Sequence, residues 1–200
     1  MGNLRQNILK TAETAFLRYG IRSVSIDDIC ETLHISKKTF YTEFRQKEEL
    51  VSIVLEDLSE INKKEDSEYS RQCLTANAID VALCYRHPAL RDRRRKHEKF
   101  MRDLIKYYPG IHNSFVESRK ESIKKIIHSN VIKGVSEGLY RECLADVTID
   151  SPFMTLAYNL IMCQIEGGDE AFAIKVDCYI RVVCNEKGFE YYEKLNNQKI

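Results

Sequence analysis

The chain has 200 residues, of which 44% are hydrophobic and 30% charged, a balance that excludes a disordered protein and permits a core of useful size. Its 31 basic and 30 acidic residues give a net charge of +1, so any contact with nucleic acid must come from a local basic patch. With only 3 prolines and 8 glycines, the composition favours long helices over a turn-rich β fold. Neither a secretory signal nor an apolar run of membrane-spanning length occurs, so we expect a cytoplasmic protein without membrane contact.

Two helices are predicted in the first 33 residues. The first has one apolar face and stops at Gly20; that face carries Ile8, Ala12, Ala15, Phe16 and Tyr19. The second helix begins after Ser25. The Ser25 hydroxyl and the Asp28 carboxylate, three residues later, closely resemble the capping-box pattern that starts a helix. Its apolar side carries Ile26, Ile29, Cys30 and Leu33.

A third, short helix is predicted over 37–44, because Ser36 is a suitable N-cap and only two residues separate it from the second helix. Phe40 and Phe44 are spaced to bury one face of this helix and leave the other face free. Two short helices joined by a tight turn and braced by a longer one form a helix-turn-helix.

The free face of the third helix is rich in hydroxyl and cationic groups. Its candidate DNA contacts are Ser36, Lys37, Lys38, Thr39, Tyr41 and Thr42, followed by Arg45 and Lys47. No acidic residue lies between Leu33 and Thr42. The major groove accepts an α-helix, and such side chains suit base edges and phosphates. The solvated face of a small bundle would have the same polarity, but the combination of short helix, tight turn, two N-caps and local charge favours DNA binding.

Residues 8–50 resemble the DNA-binding region of TetR (tetracycline-repressor-like) transcriptional regulators. The matching segments are 25–30 (SIDDIC), 35–41 (ISKKTFY), Phe44 and 47–50 (KEEL). The resemblance implies that Tyr41 and Lys47 contact phosphates and that Ser25 touches the DNA backbone. It also implies that Lys37, Lys38, Thr39 and Thr42 approach the groove.

The same resemblance implies a function: a regulator, expected to act as a repressor and not as an enzyme, that binds a palindromic operator as a homodimer. An unknown small-molecule effector, apolar or aromatic, would release it from double-stranded DNA by shifting the spacing of the two DNA-binding heads. No cofactor and no metal are expected.

Two positions depart from the usual pattern of the family. His34 stands where glycine is common, at a turn position where a positive φ is expected, a conformation that histidine tolerates at some cost. Lys38 replaces another common glycine and adds a cation close to the DNA.

The remainder of the chain also shows helical periodicity. A fourth helix has its apolar residues inward and ends in the polar stretch 62–70; these residues are Leu50, Val51, Val54, Leu55, Leu58 and Ile61. Later helices are bounded by Pro88, Pro109, Pro152, 167–168 and Asn185. We therefore predict an all-α fold with a three-helix helix-turn-helix domain over 1–47. A larger helical domain for ligand binding and dimerisation follows over 48–200, its connecting helix at about 48–62.

Two sets of side chains in the larger domain are candidate sites. The last pair of long helices is expected to form a four-helix dimer interface through Phe153, Leu156, Leu160, Cys163, Tyr179 and Val182. The second set could line a ligand pocket between the middle helices, although ordinary core packing explains each residue as well. These residues are Phe100, Leu104, Tyr107, Phe115, Tyr158 and Met162.

Other features leave alternatives open. The basic run over 91–99 is either a solvated face, an attraction for an acidic effector or an additional contact with the DNA backbone. Seven scattered cysteines without a C-x-x-C pair are expected to be small buried hydrophobic residues. A second functional hypothesis is a DNA-bound regulator whose C-terminal domain contacts a protein partner. A helical small-molecule enzyme lacks paired carboxylates, a nucleophile with its base and a phosphate loop.

Overall fold

The computed structural model describes residues 2–72, 76–84, 88–162 and 168–197, and within them the chain is helical. The helices are α1 Gly2–Tyr19, α2 Ile26–Leu33, α3 Lys37–Glu43, α4 Lys47–Gln72, α5 Ala78–Cys84, α6 Pro88–Tyr107, α7 Pro109–Ser136, α8 Pro152–Met162, α9 Gly168–Val183 and α10 Glu186–Asn197. A 3₁₀ turn covers Glu142–Leu144, and Tyr140 and Cys184 form an isolated antiparallel bridge. The predicted all-α class is confirmed. Of the helices in these ranges, none combines the length and apolar character that crossing a membrane would require.

The chain divides into two compact units. The first comprises Met1–Ser67 with Arg93–Glu117, and the second comprises Glu68–Asp92 with Ser118–Ile200. This division differs from the boundary that the sequence suggested after residue 47. The physical reason is that the first half of α4 and the second half of α6 bury their apolar side chains in the same cluster as α1, α2 and α3.

The core of the first unit is apolar throughout. Phe16 of α1, Phe40 of α3 and Phe100 of α6 are each fully buried in one cluster. The rings of Phe16 and Phe100 have centroids 6.4 Å apart. α2 and α3 are short, and isolated helices of such length are unstable, so this packing is what holds them in place.

The core of the second unit contains a network of polar side chains. The hydroxyls of Tyr140 and Tyr179 both donate to Oδ1 of Asn130, at 3.0 and 2.9 Å. Nδ2 of Asn130 donates to the carbonyl of Ala78 at 2.8 Å. A Cβ at Gly134 would lie 2.2 Å from the Tyr140 ring, so the close approach of this ring requires glycine. The network fixes α7 against α5, the Tyr140 segment and α9.

Two details of the predicted helices are wrong. α4 does not end in the polar stretch 62–70 but continues to Gln72, because the lysine, glutamate and glutamine residues there suit a helix even without an apolar face. Ile61, predicted to point inward, is 46% exposed, and Tyr19 of α1 is 54% exposed. Each lies at the last apolar position of its pattern, where the helix extends beyond the cluster that buries the preceding positions.

The helix boundaries marked by proline, glycine and asparagine agree better with the prediction. α7 and α8 begin at Pro109 and Pro152, where the missing N–H of proline costs no helical hydrogen bond. Asn185 is the N-cap of α10, and its Oδ1 accepts from the backbone N–H of Gly188 at 3.0 Å. The Gly167 position lies outside the described residues.

The cysteines follow the expectation only in part. Cys30 and Cys184 are buried, and burial raises the pKa of the Cys184 thiol to about 11. Cys143 is exposed, however, and Cys84 is disulfide-bonded, so these two are not simple buried thiols. The described ranges hold no group of three or more histidine, cysteine or acidic side chains placed to bind a metal ion.

Candidate nucleic-acid interface

The start of α2 is fixed by a reciprocal pair of hydrogen bonds. The backbone N–H of Asp28 donates to Oγ of Ser25 at 3.1 Å, and the backbone N–H of Ser25 donates to the Asp28 carboxylate at 2.7 Å. This confirms the predicted capping box. The hydrogen bonds from Ser25 hold the pKa of the Asp28 carboxyl below its ordinary value of 3.8. Ser25 itself is exposed and therefore accessible to a DNA backbone.

The turn between α2 and α3 requires a left-handed residue. His34 has φ 54° and ψ 41°, as its position suggested, and its backbone N–H returns to the end of α2 by bonding to the Glu31 carbonyl at 3.1 Å. The next residue, Ile35, donates to the Cys30 carbonyl at 3.0 Å. These two hydrogen bonds end α2 and set the direction of α3 relative to it.

α3 is anchored by two aromatic rings on its inner side. Phe40 and Phe44 are at most 1% exposed, and their ring centroids are 5.7 Å apart. At the helix start, Oγ of Ser36 accepts from the backbone N–H of Thr39 at 3.0 Å, which confirms the second predicted N-cap. With its inner side and its first turn fixed, α3 presents its outer side to solvent.

The end of α3 is braced by contacts that no local sequence pattern predicts. The Arg5 guanidinium lies over the Phe44 ring, 4.2 Å from its centroid, and donates to the Glu43 carbonyl. It also pairs with the Glu49 carboxylate at 3.4 Å, while Glu49 accepts from the backbone N–H of Arg45 at 2.9 Å. These bonds lower the pKa of the Glu49 carboxyl, the contact with the Arg45 N–H most strongly. Arg5 is 38 residues from Glu43, and no local pattern connects them.

The outer flank of α3 is exposed as predicted. Exposed side chains on and beside this helix are Ser36, Lys37, Lys38, Tyr41, Thr42 and Arg45, while Thr39 is half-buried. The hydroxyls of Ser36 and Thr39 are 2.8 Å apart, and that of Thr42 donates to the Thr39 carbonyl at 2.6 Å. Because the Thr42 hydroxyl already donates its proton to a carbonyl of the helix, it can act towards other groups only as an acceptor.

Lys47 sits differently from the other candidates. Its Nζ donates to the carbonyl of Ile21 at 2.6 Å and lies 5.7 Å from the centroid of the Phe16 ring. Burial lowers the pKa of this ammonium. An ammonium has three protons, so the bond to Ile21 leaves donors for a phosphate, but the side chain also has a structural role.

α6 supports the end of α1 and the turn that follows it, within the same unit. The Asp103 carboxylate accepts from the backbone N–H of Arg22 at 2.9 Å, and the Tyr107 hydroxyl accepts from the Arg22 guanidinium at 2.6 Å. Lys99, part of the basic run over 91–99, donates to the Arg18 carbonyl at 3.1 Å and so caps the end of α1. At least this member of the run is therefore structural, a role the sequence did not indicate.

Five of the six pocket candidates fall into two hydrophobic clusters, and the sixth, Tyr107, belongs to neither. Phe100 and Leu104 are fully buried in the first unit, Phe115 packs against the same cluster and Tyr107 is 37% exposed. The other two, Tyr158 and Met162, belong to the cluster of the second unit. Phe100 and Leu104 are core residues, the alternative that the sequence left open.

Five of the six predicted dimer residues line an apolar groove of about 240 Å³ on α8 and α9. The groove is lined by Phe153, Leu156, Ala157, Leu160, Cys178, Tyr179 and Val182. Leu156 is 61% exposed and Val182 44%, whereas Tyr179 is 5% exposed. Tyr179 thus forms part of the floor of the groove and the monomer core, and its hydroxyl is engaged by Asn130. Cys163 lies outside the described residues.

Comparison with known proteins identifies the N-terminal region. Residues 8–53 match the family model described as bacterial regulatory proteins, tetR family. This match covers α2, α3, most of α1 and the first part of α4. No curated protein matches the chain significantly by sequence.

Solved structures with the same fold extend over almost the whole chain. A transcriptional regulator from Saccharomonospora viridis, in complex with choline, aligns with a TM-score of 0.65 at 16% identity and covers 93% of this chain and 100% of that one. A TetR-family regulator from Agrobacterium tumefaciens gives 0.59 at 16% identity, with 90% and 97% covered. A third, from Shewanella, gives 0.57 at 14% identity, with 91% and 98% covered. At these identities the likeness concerns the fold.

Proposed function

We propose that the chain, whose residues 8–53 match the tetR family of bacterial regulatory proteins, binds a palindromic operator as a homodimer. It represses transcription until a small-molecule effector releases it. Regulators of this family bind DNA and are not enzymes. The observation that carries the proposal is the exposed outer flank of α3, a helix that is held by its Ser36 N-cap and by the buried pair Phe40 and Phe44.

The flank has the chemistry that duplex DNA requires. Lys37, Lys38 and Arg45 supply cationic donors beside the hydroxyls of Tyr41 and Thr42, and all five side chains are exposed. Cations and hydroxyls contact phosphates, while hydrogen-bonding side chains on a helix distinguish bases in the major groove. We assign Tyr41, Lys47 and Ser25 to phosphate contacts and Lys37, Lys38, Thr39 and Thr42 to the groove.

Two features support a homodimer: the small size of the DNA-binding element and the apolar groove on α8 and α9. One short helix contacts few base pairs, so a specific site needs two copies on an inverted repeat. Leu156 and Val182, together with Ile174 at 56% exposure, form an apolar surface that a second copy of the same face would bury.

The effector is proposed as a small molecule bound by the second unit. The support is family membership and the choline that accompanies the Saccharomonospora viridis structure, a small molecule bound to a protein of the same fold. A ligand causes release only if it binds the released state more tightly than the DNA-bound state.

Selection of bound sequences from a pool of random duplexes tests the proposal. We expect an inverted repeat whose half-sites lie about one helical turn apart, or a multiple of it. Enrichment of a single half-site without symmetry would contradict the dimer. Failure to retain any duplex at low ionic strength would contradict DNA binding itself.

A further inference from the structure

A cluster of hydrogen-bond donors lies where the end of α6 meets the turn that follows α1. The Arg22 guanidinium donates to the Tyr107 hydroxyl at 2.6 Å, and its central carbon lies 4.8 Å from the centroid of the Tyr107 ring. Nζ of Lys106 lies 5.3 Å from the same centroid. All three side chains are exposed, so two cations and a phenol share one accessible surface, which we call the Tyr107 cluster.

The side chains of the Tyr107 cluster have no acidic partner. Within the described ranges, neither Arg22 nor Lys106 forms a side-chain ion pair, and the neighbouring Asp103 carboxylate accepts from the main-chain N–H of Arg22 at 2.9 Å. The hydrogen bond from Arg22 lowers the pKa of the Tyr107 hydroxyl most strongly, and Lys106 lowers it further. A guanidinium has five N–H donors and an ammonium three, and a hydroxyl that accepts can still donate its own proton. The cluster therefore suits an anionic oxygen.

The Tyr107 cluster adjoins a side chain that we assign to a DNA phosphate. Nζ of Lys47 donates to the carbonyl of Ile21 at 2.6 Å, and Arg22 is the next residue. Burial lowers the pKa of Lys47, and Asp103, one turn before Lys106 on α6, is among the carboxylates close enough to oppose that shift. All these residues belong to the same compact unit. The cationic surface at the start of α4 thus continues through Arg22 onto the end of α6.

Duplex DNA matches this surface in charge and in repeat. Arg22 and Lys106 lie beside one ring, so their like charges repel each other unless an anion is bound between them. Duplex DNA carries one negative charge for about every 1.7 Å of its axis. A backbone held at Lys47 therefore presents further phosphates to the adjoining surface.

Building on the DNA binding proposed above, we propose that the Tyr107 cluster binds a phosphate of the operator backbone beside the one assigned to Lys47, so that α6 takes part in the DNA interface. Arg22 and Lys106 neutralise this phosphate, while the Tyr107 hydroxyl orients the guanidinium and donates its own proton. A contact of this kind holds the protein in register on the duplex and carries no base preference.

Charge-removing variants measured over a range of KCl concentrations test the proposal. Fluorescence anisotropy with the selected inverted repeat compares the wild type with Arg22→Gln and Lys106→Gln. Each variant should bind about tenfold more weakly at low salt, and the slope of log affinity against log salt should fall by about one counterion per protomer. Random duplexes should show the same fall in slope. Unchanged slopes in both variants would overturn the proposal.

Folding is controlled within the same set of proteins. The hydrogen bond to Asp103 uses the main chain of Arg22 and is kept in Arg22→Gln. Urea unfolding checks each variant, and Lys106→Gln alone decides the outcome if Arg22→Gln fails to fold.

Lys64→Gln is the matched control for net charge. Lys64 is exposed on α4, about 26 Å along the helix from Lys47, which exceeds the screening length of about 10 Å at 0.1 M salt. This variant should equal the wild type in affinity and in slope. If its slope falls as far as that of Lys106→Gln, the effect is one of overall charge and the proposal fails.

Duplexes with single neutral methylphosphonate linkages locate the contact. At one linkage in each half-site, neutralising the phosphate should weaken the wild type about as much as Lys106→Gln does. Lys106→Gln on that duplex should show little further loss, because the two changes remove the same contact. Additive losses at every linkage would contradict a phosphate bound by the cluster.

The same measurements separate this inference from the function on which it rests. If the wild type retains no duplex, DNA binding fails. If the wild type binds the repeat and Lys47→Met flattens the salt slope while Arg22→Gln and Lys106→Gln do not, only the phosphate site at the Tyr107 cluster fails.

Discussion

The ammonium of Lys37 lies 2.8 Å from the Asp27 carboxylate, an ion pair between the first residue of α3 and the first turn of α2. The hydrogen bond from Lys37 to this carboxylate raises the pKa of the lysine. Lys38, the next residue, is exposed and has no such partner among the described residues. Two adjacent lysines that look equivalent in the sequence are thus unequal in the charge they offer to DNA.

Lys38→Ala is expected to weaken DNA binding more than Lys37→Ala. Lys38 brings an uncompensated cation, so its removal should lower the salt dependence by about one counterion, whereas Asp27 already neutralises much of Lys37. Anisotropy titrations over a range of KCl concentrations measure both affinity and slope. Asp27→Asn is the matched control, because releasing Lys37 should increase affinity. A larger loss for Lys37→Ala than for Lys38→Ala would contradict the inequality.

Lys47→Met should weaken binding to operator and random duplexes alike and flatten the salt dependence, since the residue is assigned to a phosphate. It should also lower the free energy of unfolding by about 1 kcal/mol, because the Ile21 carbonyl loses its donor. The two effects are measured separately, by anisotropy at 25 °C and by urea unfolding. A loss of stability with an unchanged salt slope would mean that Lys47 serves the fold alone.

Asp28→Asn should destabilise the protein at neutral pH and cease to matter in acid. Hydrogen bonds from Ser25 lower the pKa of Asp28 in the folded state below the ordinary value of 3.8. Because the folded pKa is the lower one, the stabilisation is fully present above 3.8 and disappears as the pH falls through the folded pKa. Melting curves of Asp28→Asn and wild type should therefore converge below that pH. Glu31→Gln, on the same helix, is the control, and a constant difference at all pH values would contradict this assignment.

Much of the DNA-binding domain could be predicted because its determinants are local. Ser25, Ser36 and the Phe40 and Phe44 pair act over three or four residues, so helix starts and the buried side of α3 follow from spacing alone. The supports that join distant segments could not be predicted. Arg22 and Asp103 are 81 residues apart in the chain, and only the folded structure brings the carboxylate to the Arg22 N–H. For the same reason the pocket candidates appeared to form one group, although five of them divide between two clusters and Tyr107 belongs to neither.

His34→Gly should stabilise the protein without changing its DNA contacts. The φ of 54° costs a residue with a Cβ about 1 kcal/mol, which glycine avoids, although its greater freedom in the unfolded chain offsets part of the gain. His34→Ala is the matched variant and should be less stable than His34→Gly by about 1 kcal/mol. Equal stabilities for the two variants, measured by urea unfolding, would show that the turn does not hold this φ in solution.

Leu156→Glu should convert the proposed dimer to a monomer. Leu156 is 61% exposed, so the substitution adds a charge to the apolar groove without removing a side chain from the monomer core, unlike a change at the half-buried Leu160. A glutamate facing its own symmetry-related copy has neither water nor a counter-ion, which opposes association.

Ile126→Glu is the matched control, because Ile126 on α7 is 55% exposed but does not line the groove. Sedimentation velocity should give monomers for Leu156→Glu and dimers for Ile126→Glu. The monomer should also lose affinity for the inverted repeat more than for a half-site, because only the dimer places two α3 helices on one duplex. A dimer that persists in Leu156→Glu would mean that the copies associate through another face.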